Sequence, residues 1–147
     1  MSAQTRVDAE PRSHREAAGL ILWYDRDGWI WLQVTWDAEH GRHLRVVSRD
    51  DRTTERSVAV PVPPGPLRLY AALDGPSVTF GYAGDDEEPG VWHPVSGTYD
   101  AWRLSDDHGP RLRFTGMFVG IRADDLDGRA WSADFDYVDV AFERADG

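Results

Sequence analysis

Arg113-Phe-Thr-Gly-Met-Phe-Val-Gly-Ile-Arg122 and, one turn later, Ala133-Asp-Phe-Asp-Tyr-Val-Asp-Val-Ala-Phe142 are the stretches whose reading decides the fold. Met117, Val119 and Ile121 alternate with Phe118, Gly120 and Arg122, the period of two that gives a strand unlike faces. Gly116 and Gly120 are small among large neighbours, which in a strand marks a bulge or a close approach of another group. The second stretch alternates as well, but its phase shifts near Asp136 and Tyr137, as a bulge would cause. With the turn Asp124-Asp125-Leu126-Asp127-Gly128 between them, the two are expected to be neighbouring strands at the heart of one sheet.

Working outward, the same signals recur along the chain. Residues 1–16 are polar and charged, and they are expected to be irregular, with at most a short strand around Arg6 to Ala9. Ala18 to Tyr24 is apolar and ends at Asp25-Arg26-Asp27-Gly28, a hairpin signal. Trp29 to Trp36 places Ile30, Leu32, Val34 and Trp36 on one face and Trp29, Trp31, Gln33 and Thr35 on the other. His43 to Ser48 predicts a further strand, Asp50 to Thr54 a polar loop, and Arg56 to Val60 another alternating strand. Pro61 to Pro66 is a connection, because proline has no N–H to give a sheet interior. Leu67 to Leu73 and Val78 to Tyr82 pair across Asp74-Gly75-Pro76. Gly84 to Gly90 is an acidic loop, Trp92 to Val95 a short strand, and Ala101 to Ser105 the only helical turn. Short strands separated by Gly, Pro and Asp, with no amphipathic helix, give an all-β antiparallel sandwich, a single domain over 17–144 after the polar segment 1–16.

Composition narrows the function classes. The 147 residues carry a net charge of -10. The 16 basic residues, all Arg, are scattered among 26 acidic ones. That balance argues against nucleic acid as a partner. The absence of cysteine removes disulfides, thiol catalysis and thiolate metal sites. No apolar run approaches the ~20 residues needed to cross a bilayer. Residues 1–16 have no apolar segment of a secretory signal, so no membrane association is expected and the cytoplasm is the expected location.

The chemistry-bearing residues are sparse. Glycosidases generally use a carboxyl pair flanking the scissile bond. The Glu-x-Asp-x-x-Glu pattern of laminarinase-type sandwiches is absent, and Asp134 and Asp136, two apart on one strand, are expected to serve the strand edge. The turn from Ala123 to Asp134 resembles a calcium loop only at Asp125, Asp127 and Gly128, with Ala123 at the first ligand position and Asp134 at the last. His40 and His43 have no third ligand, and no serine lies in a Gly-x-Ser-x-Gly elbow. No catalytic residue, metal site or cofactor is assigned. Trp29 and Trp31, sharing a face with Gln33, are candidates for stacking on a sugar or for covering a second apolar layer; the strand alone does not decide.

Several of these stretches are similar, in order, to one known module: Ala18-Gly19-Leu20, Trp29-Ile30-Trp31-Leu32, Gly65-Pro66-Leu67-Arg68-Leu69, Leu104-Ser105-Asp106-Asp107, Phe114-Thr115-Gly116-Met117-Phe118-Val119-Gly120 and Ala133-Asp134-Phe135-Asp136-Tyr137. Across residues 5 to 143 the chain resembles the C-terminal concanavalin A-like, jelly-roll-type sandwich of glycoside hydrolase family 43 β-xylosidases. The resemblance implies a sandwich that packs on a catalytic β-propeller, in cis or in trans. It further implies a loop, Asp107 to Thr115, that helps close the pocket around a xylooligosaccharide, with Arg113 and Phe114 at its tip. Members have a further segment with at least one strand before the position of Thr5. The chain is therefore expected to lack its first strand or strands and to leave an edge open to a homo-oligomer. The reading is a non-catalytic accessory sandwich; the alternatives are a stand-alone carbohydrate-binding module and a self-associating structural domain.

Overall fold

The computed structural model describes residues 1–100, 118–126 and 131–141. Eleven strands are defined among them: β1 (Ser2–Asp8), β2 (Glu16–Asp25), β3 (Gly28–Asp37), β4 (Gly41–Asp50), β5 (Thr53–Arg56), β6 (Val60–Pro61), β7 (Leu67–Asp74), β8 (Ser77–Gly84), β9 (His93–Asp100), β10 (Phe118–Asp125) and β11 (Asp134–Ala141). They form two antiparallel sheets, a front sheet ordered β11-β1-β7-β8-β9 and a back sheet ordered β10-β2-β3-β4-β5, with β6 also pairing on β4. The expected all-β sandwich is what forms. The core lies between the sheets, where Leu20, Leu22, Leu32, Leu44 and Val46 of the back sheet meet Val7, Leu67, Leu69, Val78 and Phe80 of the front sheet. Each such side chain removed from water contributes about 1.5–3 kcal/mol before ordering costs.

The hairpins fall where the turn residues put them. β2 and β3 pair from Ala18↔Val34 to Asp25↔Gly28, and β7 and β8 pair from Leu67↔Gly84 to Asp74↔Ser77. Gly75 holds the second turn with a left-handed φ of 58°, open to glycine at no steric cost. The phase shift in the last strand is a bulge. Thr5 pairs with Val138 and Val7 with Phe135, so β11 spends one residue more than β1. Thr5 donates its hydroxyl to the Tyr137 carbonyl there.

Four expectations are corrected. The stretches around Phe118 and Phe135 are not neighbours in one sheet: β10 pairs on β2 in the back sheet, whereas β11 pairs on β1 in the front sheet. Period two identifies a strand but not its partner, and the segment after Asp125 carries the chain from one sheet to the other. The strand in residues 1–16 runs Ser2–Asp8 and lies inside the front sheet, between β11 and β7, rather than at an edge. Its inward residues Ala3, Thr5 and Val7 are buried, but they are small or polar, so the alternation is faint in the sequence. The stretch from Arg56 to Val60 is not one strand: β5 takes Thr53–Arg56, from the expected polar loop, and β6 takes Val60–Pro61. Trp92 to Val95 is extended into β9, which begins at His93. The helical turn expected at Ala101 to Ser105, and Gly116, lie outside the described residues.

Glycine matters most where it was least expected. A Cβ at Gly120 would meet nothing within 4 Å, so no close approach demands it. A Cβ at Gly19 would fall 1.9 Å from the Leu32 carbonyl oxygen on the adjoining strand. Gly19→Ala is therefore expected to destabilise the domain by about 2–3 kcal/mol, whereas Gly120→Ala leaves the denaturant midpoint unchanged or slightly higher. Equal midpoints for the two variants would contradict this packing.

Candidate functional site

The back sheet has two buried faces. Residues paired across a sheet share a face, so the registers define rows on its outer side: Arg122–Gly19–Gln33–Arg45, then Ile21–Trp31–Val47–Arg56, then Trp23–Trp29–Arg49–Thr54. Ala17, Ile21 and Trp31 form a second, smaller apolar cluster there, with Trp23 and Trp29 packed on it. Trp29 and Trp31 meet edge to face, with centroids 6.4 Å apart and planes at 76°.

Arg122 organises this layer. Its guanidinium lies 4.7 Å from the Trp31 ring centroid, 5.4 Å from that of Trp29 and 5.9 Å from that of Trp23. Asp124, on the same face, accepts two hydrogen bonds from it, at 3.0 and 3.1 Å, and fixes its direction. To reach Trp31 from β10, Arg122 must cross β2, and Gly19 in its own row has no side chain in the way. A ring face of Trp31, only 4% exposed, is thus covered by the chain's own cation. Trp29 is half-buried beside it. Of the residues nominated from the sequence, Trp29 and Trp31 are brought together here; Arg113 and Phe114 lie outside the described residues. Sequence reasoning missed Arg122, although its place two residues from Asp124 and in step with Gly120 puts it on this face.

The outer side of the front sheet carries a different arrangement. Trp92 stacks on Tyr70 at 4.7 Å with planes 17° apart, and a Cβ at Gly81 would come within 3.1 Å of the His93 carbonyl oxygen and 3.2 Å of the Trp92 Cβ. Arg68 donates to the carbonyl oxygens of Gly84, Glu87 and Glu88 and so folds the expected acidic loop back on the sheet. Two shallow clefts accompany these features. One of ≈ 420 Å³ is lined by Ile21, Trp23, Val119, Gly120, Ile121 and Arg122. The other, ≈ 440 Å³, lies between Pro63–Leu67 and Gly84–Asp86.

Four carboxyl groups among the described residues are shifted away from the state that acid catalysis needs. A glycosidase general acid needs a raised pKa, yet among the described residues the carboxyls that move clearly all move down. Glu16 is held below the usual range by its hydrogen bonds from Arg12, and Asp37 by the His40 backbone N–H. Asp85 is lowered by its hydrogen bond from Arg6, and Glu87 by its contact with His93. Asp136, which pairs with Arg6 as Asp85 does, serves the strand edge as expected. Asp125 accepts the Trp131 N–H at 3.0 Å, a turn contact within the calcium-like stretch. No group of three or more metal-ligating side chains occurs among the described residues.

With this geometry in view, the comparisons with known proteins agree with one another. The family described as the β-xylosidase C-terminal concanavalin A-like domain matches residues 1–141. A putative β-xylosidase of Escherichia coli K12 is 34% identical over 141 residues, which is 92% of this chain and 26% of that protein. A β-xylosidase of Bacillus subtilis 168 is 30% identical, with the same shares covered. The crystal structure of a xylan β-1,4-xylosidase from Bacillus halodurans C-125 superposes with a TM-score of 0.84 at 29% identity, over 93% of this chain and 26% of that one. The chain thus spans about a quarter of the length of the curated relatives it matches.

Arg122→Ala is expected to lower stability by about 1 kcal/mol and to shift tryptophan emission to the red as water reaches Trp29 and Trp31. Unchanged emission would mean that Arg122 does not cover the rings.

Proposed function

Because the chain belongs to the concanavalin A-like C-terminal domain family of glycoside hydrolase family 43 β-xylosidases, we propose that it is the accessory, non-catalytic sandwich of a β-xylosidase-type enzyme of xylan and xylooligosaccharide degradation. Catalysis belongs to a β-propeller outside the matched region, in cis or in trans. The observation that carries this reading is the confinement of the match to one quarter of each relative. It is supported by Glu16, Asp37, Asp85 and Glu87, whose hydrogen bonds hold them below the usual carboxylate range rather than raise them towards that of a proton donor. Within this reading Arg113 and Phe114 belong to the loop that approaches the catalytic pocket, where an aromatic tip excludes water and limits cleavage to chain ends.

The purified chain is expected to release no nitrophenol from p-nitrophenyl β-xyloside above the buffer rate. Steady turnover that survives repurification would overturn the accessory assignment.

A further inference from the structure

We propose that the cleft beside Gly120, on the outer side of the back sheet, is a subsite for one pyranose ring of a neutral xylooligosaccharide. The place and the chemistry stand on the cleft itself; only the choice of xylose units rests on the accessory reading above.

The first observation is a glycine that the fold does not require. Gly120 pairs with Ile21, its φ is not left-handed, and a Cβ there would meet nothing within 4 Å. Glycine inside a strand weakens it, and it commonly marks a place where another group approaches the backbone. Among the described residues no such group is present. What the glycine leaves is space, a cleft of ≈ 420 Å³ between Ile21, Trp23, Val119, Ile121 and Arg122. Small-molecule sites occupy ~300–1,000 Å³ and combine apolar walls with a few polar groups.

The second observation is the lining. Trp23 is half-buried and brings part of a flat ring to the cleft. Ile121, 42% exposed, adds apolar surface at the sheet edge. Arg122 adds a hydrogen-bond donor. Its Nε and Nη2 are taken by Asp124, whereas Nη1 has no hydrogen-bond partner among the described residues. Unlike Trp31 Nε1 and Arg49 Nε in the same layer, Nη1 is not sealed from solvent, so a ligand can reach it.

The occupant follows from these groups. Asp124 already neutralises Arg122, and the chain as a whole carries a net charge of -10, so an anion gains little here. A wholly apolar group would cover Nη1 without accepting from it, which is costly. A pyranose meets both demands, because its C–H face lies against an indole ring and its hydroxyl oxygens accept from a guanidinium.

The test is titration of the purified chain with xylotetraose, followed by tryptophan emission and by the amide shifts of the nitrogen-15-labelled chain. A saturable emission change is expected, with the largest amide shifts at Gly120, Ile121 and Arg122 and none at Tyr70 or Trp92 on the front sheet. Gly120→Leu fills the space and is expected to weaken binding at least tenfold while the unfolding midpoint stays within a few degrees; Gly120→Ala falls between. The shift map of the parent decides the matter even if the leucine variant does not fold. No saturable change, shifts centred elsewhere, or a Gly120→Leu chain that binds as its parent does would overturn the subsite. Each of these leaves the accessory reading standing, since the xyloside assay tests that separately. Saturation by cellotetraose with none by xylotetraose would overturn the choice of xylose.

Discussion

Two pairs of strands change sheets together, and a buried carboxylate sits where they do so. β1 and β11 pair in the front sheet, and their continuations β2 and β10 pair in the back sheet. Beside these crossings the Leu126 N–H bonds to the Arg15 carbonyl at 3.0 Å and the Trp131 indole bonds to the Glu10 carbonyl at 3.1 Å. Glu16 begins β2 at this point and is 1% exposed. Its carboxylate accepts the Arg12 backbone N–H at 2.8 Å, Nε at 3.1 Å and Nη2 at 2.7 Å. Its carbonyl takes the Thr35 hydroxyl at 2.9 Å, which ties the clasp to β3. A carboxylate removed from water is tolerable only when charge and hydrogen bonds are matched in this way.

A third change of sheet, from β6 to β7, is fastened to the first. Arg42 donates to the carbonyls of Ala9, Pro63 and Gly65, and Glu10 both pairs with Arg42 and accepts the Gly65 N–H. The turns of the sandwich therefore hold one another, and the two sheets keep a fixed offset. That offset lets Leu20, Leu32 and Leu44 meet Leu67 and Leu69 across the core. It also leaves the other side of the back sheet as a separate surface, where tryptophans lie beneath arginines.

The sequence was informative wherever local chemistry determines structure. Asp27-Gly28 and Gly75-Pro76 placed their hairpins, and the phase slip at Asp136 and Tyr137 located a real bulge. The motifs around Phe114 and Ala133 pointed to the right family. What stayed hidden depends on partners distant in the chain. Alternation at Val119 and Val138 says strand, but it cannot say that the two strands belong to different sheets. Of the interior strand β1 only a short piece around Arg6 to Ala9 was expected, because Ala3 and Thr5 fill inward positions where larger apolar residues would advertise burial. The phase of Arg122 with Gly120 and Asp124 marks its face of the strand but not its role, which appears only when β10 lies beside β2 and the cation reaches past Gly19 to Trp31.

The Glu16 clasp is the junction on which the layered scaffold depends, and pH addresses it directly. Arg12 depresses the native pKa of Glu16, whereas in the unfolded chain a glutamate titrates near ~4.3. Its stabilisation is therefore complete above that value and is lost as pH falls through the lower native pKa. Unfolding free energies of the wild type and Glu16→Gln, measured from pH 7 to pH 3, are the decisive comparison. The variant is expected to be weaker by about 1–3 kcal/mol at neutral pH, with the two curves converging in acid as the wild type alone loses this contribution. Curves that run parallel, or that coincide throughout, would contradict that role of the clasp.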